Sequence, residues 1–277
     1  MSNQIRHILS ISGGKDSTAL AVLLKEKKPD LPLEYVFCDT GEELPETYAY
    51  LEKIEALLDI RIVRLRAQLT WDQYLEQYSG YLPSARARWC TVQLKIKPFE
   101  NYIGDSACYS YIGIRADEDR EGYISSKSNI LPVYPFKEYG ITKSDVFHIL
   151  NQSGLGLPQY YSWRTRSGCY FCFFQRRYEW LGLKRNHPGL FEKALKFETV
   201  NSDGSAQNFT WIEGKSLKEA VVDEEGIIKR HSLYAERVKA NKKNKSLLLL
   251  DVFEQEMEFS DALDFESDND GCSVCHI

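Results

Sequence analysis

The sequence predicts an α/β protein: a doubly wound, mostly parallel sheet, followed by a helical C-terminal region and an acidic tail. Three observations predict it. Short apolar strand-like runs alternate with helical stretches through the first half, which implies parallel pairing. A glycine-rich turn joins the first strand to the first helix. After Pro135 the alternation stops and helical patterns dominate. The boundaries expected are 1–140 for the α/β domain, 141–250 for the helical region and 251–277 for the tail.

The elements follow in order. Ile5–Ile11 reads as a buried strand, Thr18–Lys25 as a helix, Leu33–Cys38 as a second strand and Glu46–Leu58 as a second helix. Ile60–Leu65 is a third strand, Thr91–Tyr102 a helix and Ala107–Ile114 a fourth strand. Thr142–Gln152 is helical, with Thr142 or Ser144 near its N-cap. Leu157–Arg164 is an aromatic loop, and helices follow at Phe174–Lys184, Pro188–Phe197 and roughly Ser232–Leu250.

The 277 residues are 43% hydrophobic and 27% charged, the balance of a globular chain with a full core. No run of about 18 apolar residues occurs, so no membrane-spanning helix is expected. The N-terminus lacks a signal-peptide layout and a cytoplasmic location is expected. Net charge is −5, unevenly spread. The tail holds Asp251, Glu254, Glu256, Glu258, Asp261, Asp264, Glu266, Asp268 and Asp270 with no Lys or Arg, so the body is mildly basic. Apolar residues in the tail, Phe253 and Met257 among them, suit docking better than disorder.

Ser12-Gly13-Gly14-Lys15-Asp16-Ser17 is the chemical centre. Two glycines permit a tight turn that presents N–H groups, and the helix start adds positive potential. Lys15 adds a full charge, Ser12 and Ser17 add hydroxyls, and Asp16 can orient the loop or hold Mg²⁺ through water. It is not a Walker A loop, because Leu9 stands where its first glycine would be and Asp16 where Ser or Thr is required. Asp39 ends the second strand and can reach ribose or a metal. Arg115 and Arg120 follow the fourth strand, where they can clamp phosphate or sulfate oxygens or form surface ion pairs.

Seven cysteines include two Cys-x-x-Cys pairs, Cys169/Cys172 and Cys272/Cys275. In a reducing compartment such pairs read as metal, cluster or redox sites. Cys90 follows Arg86 and Arg88, whose charges favour a thiolate. Cys38 and Cys108 fall in strands and are expected in the core. Cys272-x-x-Cys275-His276 also matches a haem-attachment string.

Ser12–Ser17 resembles the signature of the PP-loop ATP pyrophosphatase superfamily (adenine nucleotide alpha hydrolase-like), and its phosphoadenosine phosphosulfate (PAPS) reductase branch in particular. Asp39-Thr40-Gly41 with Pro45-Glu46-Thr47, Arg88-Trp89-Cys90-Thr91 with Lys95 and Pro98, and Gly113-Ile114-Arg115-Ala116-Asp117-Glu118 with Arg120 resemble further family segments in the expected order. Asp119 stands where serine is usual. The resemblance covers roughly residues 5–180. It implies an adenine nucleotide, ATP with Mg²⁺ or PAPS/APS, held by Ser12–Ser17, Asp39, Thr40, Gly41, Gly113, Arg115 and Arg120. Lys15, Asp16, Asp39, Arg115 and Cys275 then serve the chemistry.

The relatives in this branch come in two forms, of which the assimilatory APS reductases carry a [4Fe-4S] cluster on a Cys-Cys pair plus a distant Cys-x-x-Cys, a layout this chain resembles. Here Thr91 replaces the second cysteine. Two ligand sets remain open: Cys90, Cys169, Cys172 and one tail cysteine around a cluster, or Cys169, Cys172, Cys272 and Cys275 around a cluster or Zn²⁺.

Three functions follow. The chain is similar to the ATP pyrophosphatase components of DNA phosphorothioation systems, which implies adenylylation of an acceptor, a nucleic acid among the candidates, for sulfur transfer. A sulfonucleotide reductase would use Cys275 as nucleophile, although Val274-Cys275-His276-Ile277 lacks the Glu and Gly of the usual string. A nucleotide-binding regulatory subunit is the third. The protein partners implied are a cysteine desulfurase or a thioredoxin-like reductant. Arg164, Arg166, Arg176, Arg177 and the lysines of 239–245, with Tyr160, Tyr161 and Trp163, form either a basic-aromatic surface for nucleic acid or a packed core with a solvated lysine face.

Overall fold

A computed structural model describes residues 5–119, 125, 127–199 and 209–243. Five strands form one sheet: β1 (Arg6–Ser10), β2 (Leu33–Cys38), β3 (Ile62–Leu65), β4 (Cys108–Tyr111) and β5 (Ile130–Val133). All neighbours are parallel, in the order β3-β2-β1-β4-β5. The chain therefore winds outward from β1 to β3, returns, and winds outward again through β4 and β5. That is the doubly wound α/β topology. It opens a crevice at the carboxyl ends of the strands where the order reverses, between β1 and β4.

Helix α1 (Lys15–Lys27) starts directly at the glycine loop, three residues earlier than the periodicity suggested. Its residues from Asp16 to Leu24 are all buried, so it packs deep in the sheet's covering layer. There Leu20 and Leu24 join Leu9 and Ile11 from the first strand segment, with Phe37, Leu51, Ile54 and Leu150. Helix α2 (Pro45–Leu58) begins at a proline, whose missing N–H costs nothing in a first helical turn. The helix Lys143–Gln152 packs on α1, and its start is capped by Asp145, which accepts from the Thr142 N–H at 2.8 Å and from Thr142 Oγ1 at 2.7 Å.

Several short elements were not legible, helix α3 (Trp71–Gln77) and β5 among them. Helix α3 is short and starts at a Thr70/Gln73 capping box. β5 is four residues long and contains a proline, tolerated because it is an edge strand. The expected helix Thr91–Tyr102 spans Trp89 to Ile103 and includes a π-helical stretch, Val92–Ile96, directly after Cys90 and Thr91.

The described residues up to Cys172 form one compact unit, and those from Phe173 form a second. Residues 141–172 thus belong with the sheet, past the boundary expected at 140. In the second unit the helices Arg177–Asn186 and Pro188–Phe197 pack together, and Trp211 Nε1 donates to the Ala194 carbonyl at 2.9 Å. Among the described residues no helix is long and apolar enough to cross a membrane. The tail, with Cys272 and Cys275, and Arg120 lie outside the described residues.

Candidate nucleotide site at the carboxyl edge of the sheet

The loop after β1 has glycines where side chains do not fit. Gly13 has φ +72°, and a Cβ there would lie 2.7 Å from Thr47 Cγ2. A Cβ on Gly14 would lie 2.6 Å from Ser167 Oγ. Gly14 is also the N-cap of α1 and supplies no side-chain cap. The N–H groups of Gly13 and Gly14 make no hydrogen bond among the described residues. Unpaired buried N–H groups at a helix start are an anion cradle. A ring of hydroxyls closes it: Ser12 Oγ lies 3.1 Å from Ser17 Oγ and accepts from Ser167 Oγ at 3.2 Å.

The charged groups are tied to one another. Lys15 Nζ donates to Asp16 Oδ2 at 2.9 Å, and Arg115 Nη1 donates to Asp16 Oδ1 at 3.0 Å. Arg115 also pairs with Asp117 and Glu118. Burial opposes its charge, but these three carboxylates outweigh burial and raise its pKa. Arg115 is thus neither a surface ion pair nor a free clamp: it is buried and linked to the loop. Gly113 makes this possible, since a Cβ there would lie 3.2 Å from the Asp16 backbone.

Asp39 sits at the end of β2 as expected, and its carboxylate is fully engaged. Oδ1 accepts from Tyr48 Oη at 2.8 Å and from the Gly41 N–H at 3.0 Å, and Oδ2 accepts from Arg66 at 2.7 and 2.9 Å. Burial pushes its pKa up, but these donors together outweigh burial and hold it below the usual carboxylate range.

A second wall comes from residues 160–169, and pattern reading missed its role. Tyr160 is wholly buried and its hydroxyl donates to the Gly13 carbonyl at 2.7 Å. The Tyr161 hydroxyl accepts from the Lys15 N–H at 3.2 Å. Arg164, 1% exposed, donates to the carbonyls of Gly168 (3.0 Å) and Cys169 (2.8 Å), holding the turn that carries the Cys-x-x-Cys pair. Tyr160, Trp163 and Arg164 are therefore interior, not a nucleic-acid surface; Arg176 and Arg177 fall in the second unit. Thr40 lies 3.3 Å from Cys169 Sγ and donates to Glu43 at 2.9 Å, and Glu43 Oε1 lies 3.7 Å from the same sulfur.

A family model described as the phosphoadenosine phosphosulfate reductase domain matches residues 6–172, more than half the chain. The chain belongs to that family. The PAPS reductase domain thus ends where the first compact unit ends. It is similar to an uncharacterised protein of Methanocaldococcus jannaschii, 29% identical over 200 residues, covering 67% of this chain and 40% of that one. An adenosine 5′-phosphosulfate reductase of Salinibacter ruber is 26% identical over 105 residues, covering 38% of this chain and 40% of that one. The chain spans less than half the length of the first curated relatives it matches. Among solved structures, a PAPS reductase from Candida auris in a phosphate complex aligns with TM-score 0.49 and 12% identity, over 60% of this chain and 82% of that one.

Both oxygens of Asp16 and both of Asp39 accept from nitrogen or hydroxyl donors. Among the described residues no three His, Cys, Asp or Glu side chains converge on one metal position, so Cys90, Cys169 and Cys172 do not form one ligand set. Burial, with the Glu43 carboxylate adding to it, raises the Cys169 thiol well above its ordinary pKa. Cys90 Sγ lies 3.9 Å from Thr91 Oγ1. Cys272 and Cys275, which the ligand sets expected from the sequence draw on, lie outside the described residues. Cys38 and Cys108 are buried free thiols in the sheet, and burial pushes Cys38 up to about 12.

Proposed function

We propose that this PAPS reductase-family domain is an ATP pyrophosphatase that adenylylates an acceptor for sulfur transfer. The observation that carries the reading is the pair of Gly13 and Gly14 N–H groups at the start of α1, which make no hydrogen bond among the described residues and are ringed by Ser12, Ser17 and Ser167. Such a cradle suits the β- and γ-phosphates of ATP, whose charge grows as pyrophosphate departs. An acceptor oxygen attacks the α-phosphorus. The bond from that phosphorus to the bridging oxygen breaks, and the acceptor proton passes to solvent as pyrophosphate leaves. A sulfur nucleophile then displaces AMP. Lys15, linked to Asp16, stands at the loop to stabilise phosphate oxygens, and Arg115 holds Asp16 from the other side. Thr91, where a cluster-binding relative has a second cysteine, and a tail string without Glu and Gly favour ATP over a phosphosulfate.

The test is pyrophosphate release from ATP in the presence of Mg²⁺ and candidate acceptors, nucleic acid first. Stoichiometric pyrophosphate and an AMP-linked acceptor are expected. No release, with thioredoxin-dependent sulfite from PAPS or APS, sinks the reading in favour of a reductase. The Salinibacter ruber relative named as a reductase supports that second reading. Under it, Cys275→Ser abolishes sulfite production, and a desulfurase partner is replaced by a thiol reductant.

A further inference from the structure

We infer that Tyr160 is the residue that aims the phosphate loop, and that the adjacent Tyr161 hydroxyl keeps the place of a phosphate oxygen. The inference rests on the phosphate-cradle reading above. The Gly13 carbonyl and the Gly14 N–H belong to one peptide unit, and in a trans peptide they point in opposite directions. Two successive glycines meet little steric resistance to turning that unit over. Untethered, the Gly14 N–H would divide its time between facing the cradle and facing away. Tyr160 removes that freedom. Its wholly buried side chain donates to the Gly13 carbonyl at 2.7 Å, so the opposite end of the same peptide, the Gly14 N–H, is held in a fixed direction and makes no hydrogen bond among the described residues.

Tyr161 does the opposite job. Its oxygen accepts from the first N–H of α1, that of Lys15, at 3.2 Å, and the Lys15 ammonium lies 5.7 Å from the centre of its ring. It is half-buried, and its ring lies 5.0 Å from that of Tyr160 with only 27° between their planes. An oxygen on a helix-start N–H beside a lysine occupies the position an anionic ligand would take. The 3.2 Å contact is long enough to be given up to a charged oxygen, which makes a stronger bond.

The probe is inorganic pyrophosphate, titrated into the full chain by calorimetry and by ¹H–¹⁵N NMR of the Gly14 amide. Tyr160→Phe keeps the ring and removes only the tether. It is expected to weaken pyrophosphate binding roughly five- to tenfold, the worth of one hydrogen bond, and to broaden the Gly14 amide signal before ligand is added. Tyr161→Phe is expected to bind at least as tightly as the wild type, with a sharp Gly14 signal. Tyr160→Phe within twofold of wild type with an unchanged amide signal overturns the inference, as does equal weakening by both substitutions. A wild-type chain that binds no pyrophosphate overturns the phosphate-cradle reading itself.

Discussion

At the scale of single residues, the loop works because Gly14 has no side chain. Gly14→Ala puts a methyl 2.6 Å from Ser167 Oγ and 3.3 Å from Ser12 Oγ, so the serine hydroxyls that ring the cradle, or the loop itself, must shift. Nucleotide affinity should fall roughly tenfold or more, of the order of a lost charge-assisted hydrogen bond. Adding Ser167→Ala should restore part of it; strictly additive losses in the two-site cycle would show that the clash is not the cause. Asp39 offers a pH test. Its lowered pKa contributes stability that is present above the unfolded-state value near 4 and is lost as pH falls through the folded value. Arg66→Ala removes donors that lower that pKa and so lifts it. Because Arg66 is 72% exposed, solvent screening limits the loss at pH 7 to about 1 kcal/mol. The melting-temperature gap from wild type should narrow on acidification to pH 3; a constant gap would exclude the pair as its source. Ser12–Ser17, Asp39 and Arg115 were legible because each follows a strand within a recognisable motif. Tyr160, Ser167, Arg66 and Glu43 were not, since their roles depend on contacts across up to 155 residues that no local spacing encodes.

At the scale of elements, the regular alternation of β1, α1, β2, α2 and β3 was readable because apolar runs of the right length are bounded by turn residues. What failed was short or irregular: α3 has only seven residues, and the π-helical stretch after Cys90 has no signature in residue types. The structure also gives α3 an anchoring role. Trp71, at its start and 1% exposed, stacks on Trp89 at 4.9 Å and contacts Phe171 at 4.1 Å. It thus joins α3 to the turn before Cys90 and to the turn between Cys169 and Cys172. Trp71→Ala should cost about 3–5 kcal/mol, the range for a buried aromatic truncated to alanine. Chemical denaturation measures it directly. A loss under 1 kcal/mol would mean that the three aromatic rings do not act as one cluster.

At the scale of the whole molecule, the match to the PAPS reductase domain and the first compact unit both end at Cys172. Residues 1–172 expressed alone should fold cooperatively and bind pyrophosphate with affinity close to the full chain; a fragment without a cooperative transition would show that the unit is not autonomous. The parallel order of the sheet has a further consequence, for synthesis. β1 pairs with β4, Arg6 opposite Cys108, so the first strand made waits about a hundred residues for one of its two neighbours. The loop that follows β1 waits longer, because Tyr160 and Ser167 hold it. A nascent chain on the ribosome therefore displays the Ser-Gly-Gly-Lys sequence early and acquires its ligand only after residue 167 has cleared the exit tunnel. Nucleotide supplied during translation should stabilise chains long enough to have released residue 167 and leave the shorter ones open to proteolysis.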